Sequence, residues 1–133
     1  MKRILGIAAS AFILVSAAAA HADAVSDLQS TYRAQAKADF SVPAGQRMWT
    51  RGFQAPDGRQ RRCSDCHTQN LRQPGKHVRT GKVISPMAPS INAQRLTDPV
   101  KIEKWFTRNC KWTLGRACTA QEKGDFLSFI NSQ

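Results

Sequence analysis

Residues 63 to 67 of this 133-residue chain read Cys-Ser-Asp-Cys-His, a C-x-x-C-H motif. In such a motif the two thiols bond covalently to a c-type haem, and the histidine that follows becomes the proximal ligand of the iron. A chain of this kind has to fold around its cofactor, because both anchors and one ligand lie within five residues. The motif therefore predicts one covalently bound haem c, held by Cys63, Cys66 and His67.

A C-x-x-C pair also occurs in thioredoxin-like redox sites and in zinc sites. A redox pair is expected beside a βαβ pattern, and no strand-like runs alternate with helices here. A structural zinc site needs four nitrogen or sulfur ligands at close spacing. The other two cysteines, Cys110 and Cys118, follow more than forty residues later without a nearby histidine. Haem attachment is therefore the favoured interpretation.

The first 22 residues have the three parts of a secretory signal peptide: a basic start, an apolar run over residues 4–15 and a small-x-small cleavage site that ends at Ala22. An uncleaved membrane anchor is the alternative, but the apolar run is short for a bilayer span. We expect cleavage, a periplasmic location and a mature chain of one domain that starts near Asp23.

The chain is strongly basic, with a formal net charge of +11, and removal of Lys2 and Arg3 with the signal peptide leaves +9. Nucleic acid, an anionic membrane and an acidic protein are the partner classes that such a surface attracts. An exported haem protein rarely meets nucleic acid. We therefore expect no nucleic-acid partner and favour an acidic redox protein, with a solvated surface that has no partner as the alternative.

Helical periodicity without a convincing strand predicts an all-α chain. Apolar residues recur at helical spacing over residues 24–39 and again over residues 44–53. The long segment after the motif, rich in proline and glycine, is expected to form a loop over the cofactor. We divide the chain into a signal peptide (1–22), an N-terminal helical extension (23–43) and a monohaem cytochrome c domain (44–133).

Two capping signals predict the helices of the C-terminal half. Asp98-Pro99 combines a preferred N-cap residue with proline at the first helical position. This helix should run to about Arg108, and its apolar side should carry Ile102, Trp105 and Phe106. Thr119 to Glu122 has the pattern of a capping box. It opens a last helix whose buried face is expected to consist of Phe126, Leu127, Phe129 and Ile130.

The ligand on the other face of the iron has three candidates. Met87 would raise the potential and suit an electron carrier, and His77 would give a bis-histidine site. Asn109 lies 42 residues after the proximal histidine, a longer detour than the 20 residues of Met87 or the 10 of His77. Its neighbour Cys110 is expected to pair with Cys118 in an oxidising compartment. Residue chemistry alone leaves all three candidates open.

From about residue 44 to residue 132 the chain resembles the sphaeroides haem protein (SHP) group of class I c-type cytochromes. The resemblance implies a class I cytochrome c fold, with helices and long loops wrapped around one covalent haem. It also implies Asn109 as the sixth ligand of the iron and a disulfide between Cys110 and Cys118. It rests on the haem motif and on Gln73-Pro74-Gly75, Pro86-Met87-Ala88-Pro89, Thr97-Asp98-Pro99, Arg108-Asn109-Cys110 and the segment from Gln121 to Phe126.

The same resemblance implies a haem that is gated by its redox state. An amide ligand that ferric iron tolerates would leave on reduction, and ferrous iron could then bind oxygen, nitric oxide or carbon monoxide. The expected electron donor is a dihaem cytochrome c or a membrane cytochrome b. The alternatives are a plain electron carrier with Met87 on the iron and a haem enzyme, such as a nitric oxide dioxygenase or a weak peroxidase. By analogy, the Nδ1–H of His67 is expected to donate to the carbonyl of Pro74.

Overall fold

A computed structural model describes residues 16–133 of the chain, and their side chains from Ala24 onward. Most of the expected signal peptide therefore lies outside the described residues. Within the described part, no helix is long and apolar enough to cross a bilayer.

Five helices and two short antiparallel hairpins form the described chain. The mainly helical architecture confirms the expected fold class. The expectation that no strand occurs is wrong for the two hairpins, because paired segments of two residues are too short to show an alternating pattern. The elements are α1 (Ser16–Arg33), α2 (Val42–Thr50), β1 (Phe53–Gln54), β2 (Gln60–Arg61), α3 (Ser64–His67), β3 (Gly75–Lys76), β4 (Val83–Ile84), α4 (Pro99–Leu114) and α5 (Ala120–Asn131).

The helices α1 and α2 overlap the two segments for which periodicity predicts a helix, but they begin and end at other residues. The helix expected over residues 24–39 already stops at Arg33. A new helix then begins at Ser41, whose side chain accepts a hydrogen bond from the amide of Ala44. Pro43 lies in the first turn of this helix, where its missing N–H leaves no unsatisfied bond. It therefore opens α2 and does not end α1.

The caps of the last two helices are confirmed. The side chain of Asp98 accepts a hydrogen bond from the amide of Lys101 at the start of α4. At the start of α5, the Thr119 hydroxyl accepts from the amide of Glu122, and the Glu122 carboxylate accepts from the amide of Thr119. Two of the backbone donors at this helix end are thus satisfied within four residues. All four apolar residues expected on the inner face of α5 are buried.

The helix α4 is longer than its sequence pattern predicts. It continues past Arg108 to Leu114 and ends at Gly115, whose φ of 73° is the left-handed C-cap conformation that glycine favours. Asn109 therefore lies inside the helix and not at its end. The expected apolar side is also wrong at Trp105, which is 46% exposed. Neighbouring helical residues point about 100° apart, so the packing of the partly buried Phe106 against the core turns Trp105 outward.

A close crossing of α2 and α5 forms the centre of the core. A Cβ atom added to Gly45 would lie 2.7 Å from the Cβ of Phe129 and still nearer to the carbonyl oxygen of Asp125. Only glycine allows the two backbones to approach this closely. Leu127 of α5 and Leu71 of the loop after the haem motif are completely buried in the same cluster.

The expected N-terminal extension packs into this core. Of α1, Ala24, Val25, Leu28 and Tyr32 are buried in the cluster that also holds Trp49 and Leu127. The hydroxyl of Tyr32 donates to Glu103 of α4, and Lys123 of α5 donates to the other oxygen of the same carboxylate at 2.7 Å. Burial, and then the hydrogen bond to Glu103, raise the pKa of Tyr32 far above its usual value. Three helices are thus joined through one carboxylate.

We predict that the capping box of α5 makes stability dependent on pH. Arg116, and then the amide of Thr119, hold the pKa of Glu122 below its usual value. The carboxylate therefore contributes stability above the unfolded pKa of about 4.3, and this contribution disappears as the pH falls through the lower folded pKa. Replacing Glu122 by Gln should lower the free energy of unfolding by about 0.5–1.5 kcal/mol at pH 7, measured by urea denaturation of the haem-loaded protein.

The difference between wild type and Glu122→Gln should begin to shrink as the pH falls below the unfolded pKa of about 4.3, and it should vanish below the lower folded pKa of Glu122. Asp27→Asn removes the same charge from an exposed position of α1 and should change little at any pH. An effect of Glu122→Gln that does not depend on pH would contradict this account.

Candidate functional site

Four residues of the C-x-x-C-H motif, Ser64–His67, form α3, and Cys63 is the N-cap residue of this turn. The carbonyl of Cys63 accepts hydrogen bonds from the amides of Cys66 and His67, at 3.3 and 3.1 Å. One helical turn therefore carries both thiols and the imidazole. Both cysteines are free and partly buried, and Cys63 packs against the hydrophobic core. Burial raises the pKa of the Cys63 thiol to about 12, so this environment favours an uncharged sulfur, such as that of a thioether.

The imidazole of His67 is held in its neutral form. Burial, and then the nearby charge of Arg95, lower the pKa of His67 to about 4. Its Nδ1 atom is buried and has no hydrogen-bond partner. The expectation that the carbonyl of Pro74 accepts from this atom is therefore wrong in this structure. A neutral imidazole is the form that binds a metal ion.

The backbone of Gly75, the residue after Pro74, lies directly against α3. A Cβ atom at Gly75 would lie 2.9 Å from the Cα of His67 and still closer to the carbonyl oxygen of Cys66. Gly75 pairs with Ile84 in the β3–β4 hairpin. This hairpin thus closes over the turn that bears the imidazole, and only a residue without a side chain fits at the point of contact.

Trp49 of α2, which precedes the haem motif in the sequence, also contacts the residues at the end of α3. Its indole N–H donates to the carbonyl of Thr68 at 2.8 Å, and its ring centroid lies 5.6 Å from that of His67. Thr68 has a positive φ of 63°, so the chain leaves α3 by a sharp turn that this hydrogen bond fixes. Trp49 also packs against Phe126 and Phe129 of α5. It therefore connects the histidine to the core crossing.

Two of the three candidates for the sixth ligand have other structural roles. The Nδ1 atom of His77 lies 3.1 Å from the hydroxyl and 3.2 Å from the amide of Thr80, and it closes the turn between β3 and β4. Met87 is partly buried and packs against the core. Its amide donates to the carbonyl of the buried Leu71 at 2.9 Å. Both side chains thus contribute to the loop after the haem motif.

Asn109 lies on α4 with an exposed side chain, directly before the buried Cys110. Cys110 is joined to Cys118 by a disulfide, with the two Cα atoms 5.5 Å apart. This is the pairing that the sequence resemblance implies. The bond ties the fourth turn of α4 to the segment that leads into α5.

Two tryptophans lie one turn before and one turn after Asn109 on the same side of α4. Trp105 is 46% exposed and Trp112 is 37% exposed. One face of the Trp112 indole carries the guanidinium of Arg61, 3.6 Å from the ring centroid, whereas the exposed indole of Trp105 beside Asn109 offers a surface suited to a flat, apolar group. Two free thiols and a neutral imidazole with an unpartnered Nδ1 on one turn are the groups that a covalently attached haem requires, so the residues of this turn fit that cofactor. In residues 24–133, no three His, Cys, Asp or Glu side chains gather as they would around a bound metal ion.

Comparisons with known proteins agree with this chemistry. The family model described as Domain of unknown function (DUF1924) matches residues 35–130, more than half of the chain. Cytochrome c'' of Methylophilus methylotrophus is 39% identical over 90 residues, which are 68% of this chain and 62% of that protein. The cytochrome c-type protein SHP of Cereibacter sphaeroides is 44% identical over 71 residues, which are 53% of this chain and 54% of that protein. The chain thus matches about three fifths and about half of the lengths of these relatives.

Solved structures give the same result over longer stretches. A crystal structure of oxidized cytochrome c'' from Methylophilus methylotrophus has a TM-score of 0.74 and 31% identity, over 86% of this chain and 95% of that one. The structure of oxidized SHP, described as an oxygen binding cytochrome c, has a TM-score of 0.74 and 35% identity, over 82% and 96%. The chain belongs to the cytochrome c''/SHP family. Like the members of that family, it is a monohaem c-type cytochrome with covalently bound haem c, as the sequence predicts.

A third structure adds a statement about a family member. The solution structure of cytochrome c'' has a TM-score of 0.65 and 31% identity, over 91% of this chain and 96% of that one. It is described as giving insight into haem-ligand detachment in that protein. Members of the cytochrome c''/SHP family therefore include one that binds oxygen and one that loses a haem ligand.

We predict that the contact of Gly75 with α3 controls the proximal side of the haem. Gly75→Ala should displace the β3–β4 hairpin and lower the free energy of unfolding by about 1–3 kcal/mol, the usual cost of overpacking. It should also shift the Soret band, because the turn that holds His67 moves. Gly81→Ala is the matched control, since Gly81 has a φ of 69° in the same hairpin but meets only the end of a lysine side chain. The control should lose stability without a spectral change, and equal spectra for both variants would contradict the prediction.

Proposed function

We propose that this protein is an exported monohaem cytochrome c in which Asn109 is a displaceable sixth ligand, and that the reduced protein binds a diatomic gas such as oxygen. The observation that carries the proposal is the place of Asn109, on α4 between two exposed indoles and directly before the Cys110–Cys118 disulfide. Oxygen binding in SHP and haem-ligand detachment in cytochrome c'' support it.

The haem would supply an iron that exchanges one electron and whose ferrous state holds a hard amide ligand weakly. The residues of the chain decide how that ligand can leave. Asn109 is followed by five more helical residues and by a disulfide that closes a short loop. Such a bond stabilises a domain by roughly 2–3 kcal/mol. Unwinding of α4 at Asn109 is thereby opposed, so the amide would leave by rotation of its own side chain.

The proximal side is built to stay in place while the distal side changes. His67 is neutral at ordinary pH because burial lowers its pKa to about 4. Trp49, which lies before the haem motif in the sequence, and Gly75, which lies after it, both contact the turn that bears His67. A gas-binding site requires a proximal ligand that stays on the iron and a distal ligand that leaves, because only one coordination position has to open.

The roles of the other two candidates favour Asn109. Met87 takes part in the core, with its backbone fixed to Leu71. The Nδ1 atom of His77 is engaged in the β3–β4 turn. A side chain that packs or closes a turn would have to give up this role to reach the iron. The electron donor that we propose is an acidic redox protein, of the dihaem cytochrome c or membrane cytochrome b class.

The spectrum of Asn109→Ala tests the ligand. The ferric variant should change from a low-spin to a high-spin or water-ligated spectrum, with haem still attached, because the amide is gone. Reduced wild type should show a broad high-spin spectrum and bind carbon monoxide. Met87→Ala and His77→Ala are the controls and should leave the ferric spectrum unchanged. A changed spectrum in Met87→Ala, or a sharp low-spin reduced spectrum in wild type that ignores carbon monoxide, would sink the proposal.

Export is tested by the mass of the protein in the periplasm. The mature chain should begin at Asp23 and carry one haem. This start would retain the buried residues of α1 from Ala24 to Tyr32. Replacing both Lys2 and Arg3 by Glu should abolish haem attachment, because the chain would no longer be exported. Lys37→Glu, a charge reversal at an exposed position, should not. Haem-loaded protein of full length would contradict cleavage.

A further inference from the structure

A second exposed feature of α4 is the cluster around Trp112. The guanidinium carbon of Arg61 lies 3.6 Å from the centroid of the Trp112 ring, and that of Arg79 lies 5.7 Å from it. Both are cation–π distances. β2, the turn between β3 and β4, and α4 therefore meet at one indole that is 37% exposed.

The two arginines of this cluster differ in their partners. Arg61 is anchored: it donates to the carbonyl of Trp112 at 2.8 Å and pairs with Asp57. In the part of the chain that the structure describes, Arg79 forms no ion pair with a carboxylate, and neither does the exposed Arg59 of the neighbouring hairpin. The cluster thus retains positive charge that the chain itself does not neutralise.

Exposed apolar side chains accompany these charges. Val78 and Val83, on the hairpin that carries Arg79, are 56% and 69% exposed. We call Trp112, Arg61, Arg79, Val78 and Val83 the Trp112 patch. Tryptophan and arginine are the residue types that contribute most at protein interfaces. A guanidinium stacked on an indole keeps its N–H edge free for a carboxylate, to which it can donate two parallel hydrogen bonds.

The patch adjoins both ends of the haem site along the chain. Arg61 lies two residues before Cys63, and Trp112 lies three residues after Asn109. We propose that the Trp112 patch is the docking surface for an acidic electron-transfer protein, whose carboxylates would meet Arg79 and whose apolar centre would cover Trp112. This inference rests on the electron exchange in the proposed function. Such an encounter is brief and small, below about 1,200 Å² of buried surface.

The location of binding is tested with poly-L-glutamate as the acidic probe. It is added to the oxidised, haem-loaded, ¹⁵N-labelled protein at low salt. Amide shifts should be confined to residues 57–62, 77–83 and 111–113, and they should disappear near 0.2 M salt, where the Debye length falls to about 7 Å. Shifts spread evenly over the basic surface, or absent from these residues because the haem covers Trp112, would overturn the proposal.

Charge reversal tests the contribution of Arg79 to electron transfer. The reduced protein is oxidised without oxygen by ferricyanide, which is anionic, or by tris(phenanthroline)cobalt(III), which is cationic. Arg79→Glu should slow the anionic reaction by about tenfold and speed the cationic one, as expected for electrostatic steering. Arg47→Glu makes the same charge change on the exposed face of α2 and should alter each rate less than about twofold. Equal effects of the two variants would contradict a localised docking surface.

Two further measurements distinguish protein docking at the Trp112 patch from membrane binding and from the role of Asn109. Sedimentation with phosphatidylglycerol vesicles should leave the protein in solution at 0.15 M salt; vesicle binding that Arg79→Glu abolishes would assign the patch to a membrane surface and overturn the proposal. The Asn109→Ala protein should keep the same amide shifts and the same rate differences, because the patch does not include the sixth ligand. A failed spectral test of Asn109 would therefore leave the docking result to be judged on its own.

Discussion

Trp49 is the residue on which the rest of the site depends. Its ring packs on two aromatic side chains of α5, and its N–H fixes the carbonyl that follows the haem motif. The crossing of α2 and α5 at Gly45 sets where this ring can lie. The position of the proximal histidine therefore depends on how α2 and α5 pack against each other. A change in the core would reach the imidazole through one indole and one hydrogen bond of 2.8 Å.

Much of this arrangement could be predicted because it is encoded locally. The haem anchors, the caps of α4 and α5 and the buried face of α5 each depend on residues at fixed short spacing. The close contacts at Gly45 and Gly75 join residues that are far apart in sequence, and no periodic pattern marks them. The sequence pattern ends α4 at about Arg108 because asparagine, the next residue, is common at helix C-termini, whereas Gly115 supplies the left-handed cap. The roles of Trp49 and Gly75 also depend on tertiary packing and were missed for this reason.

The two faces of the proposed haem site differ in what they require: the proximal ligand has to stay in place and the distal ligand has to leave. The proximal face combines a buried, neutral histidine with contacts from α2 and the β3–β4 hairpin. The distal candidate is a polar side chain on the solvent side of α4, but its backbone is braced by a helix that continues beyond it and by a disulfide. In the proposed site the helix and the disulfide would hold the main chain at Asn109 while its exposed side chain rotated away from the iron. This combination distinguishes a ligand that can be displaced from one that is merely disordered.

The disulfide described at the end of α4 also bears on how the protein is assembled. Four cysteines allow three ways of forming two bridges, and haem attachment requires that Cys63 and Cys66 stay reduced. Cys110 and Cys118 are only eight residues apart, so they can find each other before distant parts of the chain meet. Once they are joined, neither is a free thiol that oxidation could pair with a thiol of the haem motif. Early closure of this small loop would leave the chain with the two thiols that the cofactor needs, also in the oxidising compartment to which we propose that it is exported.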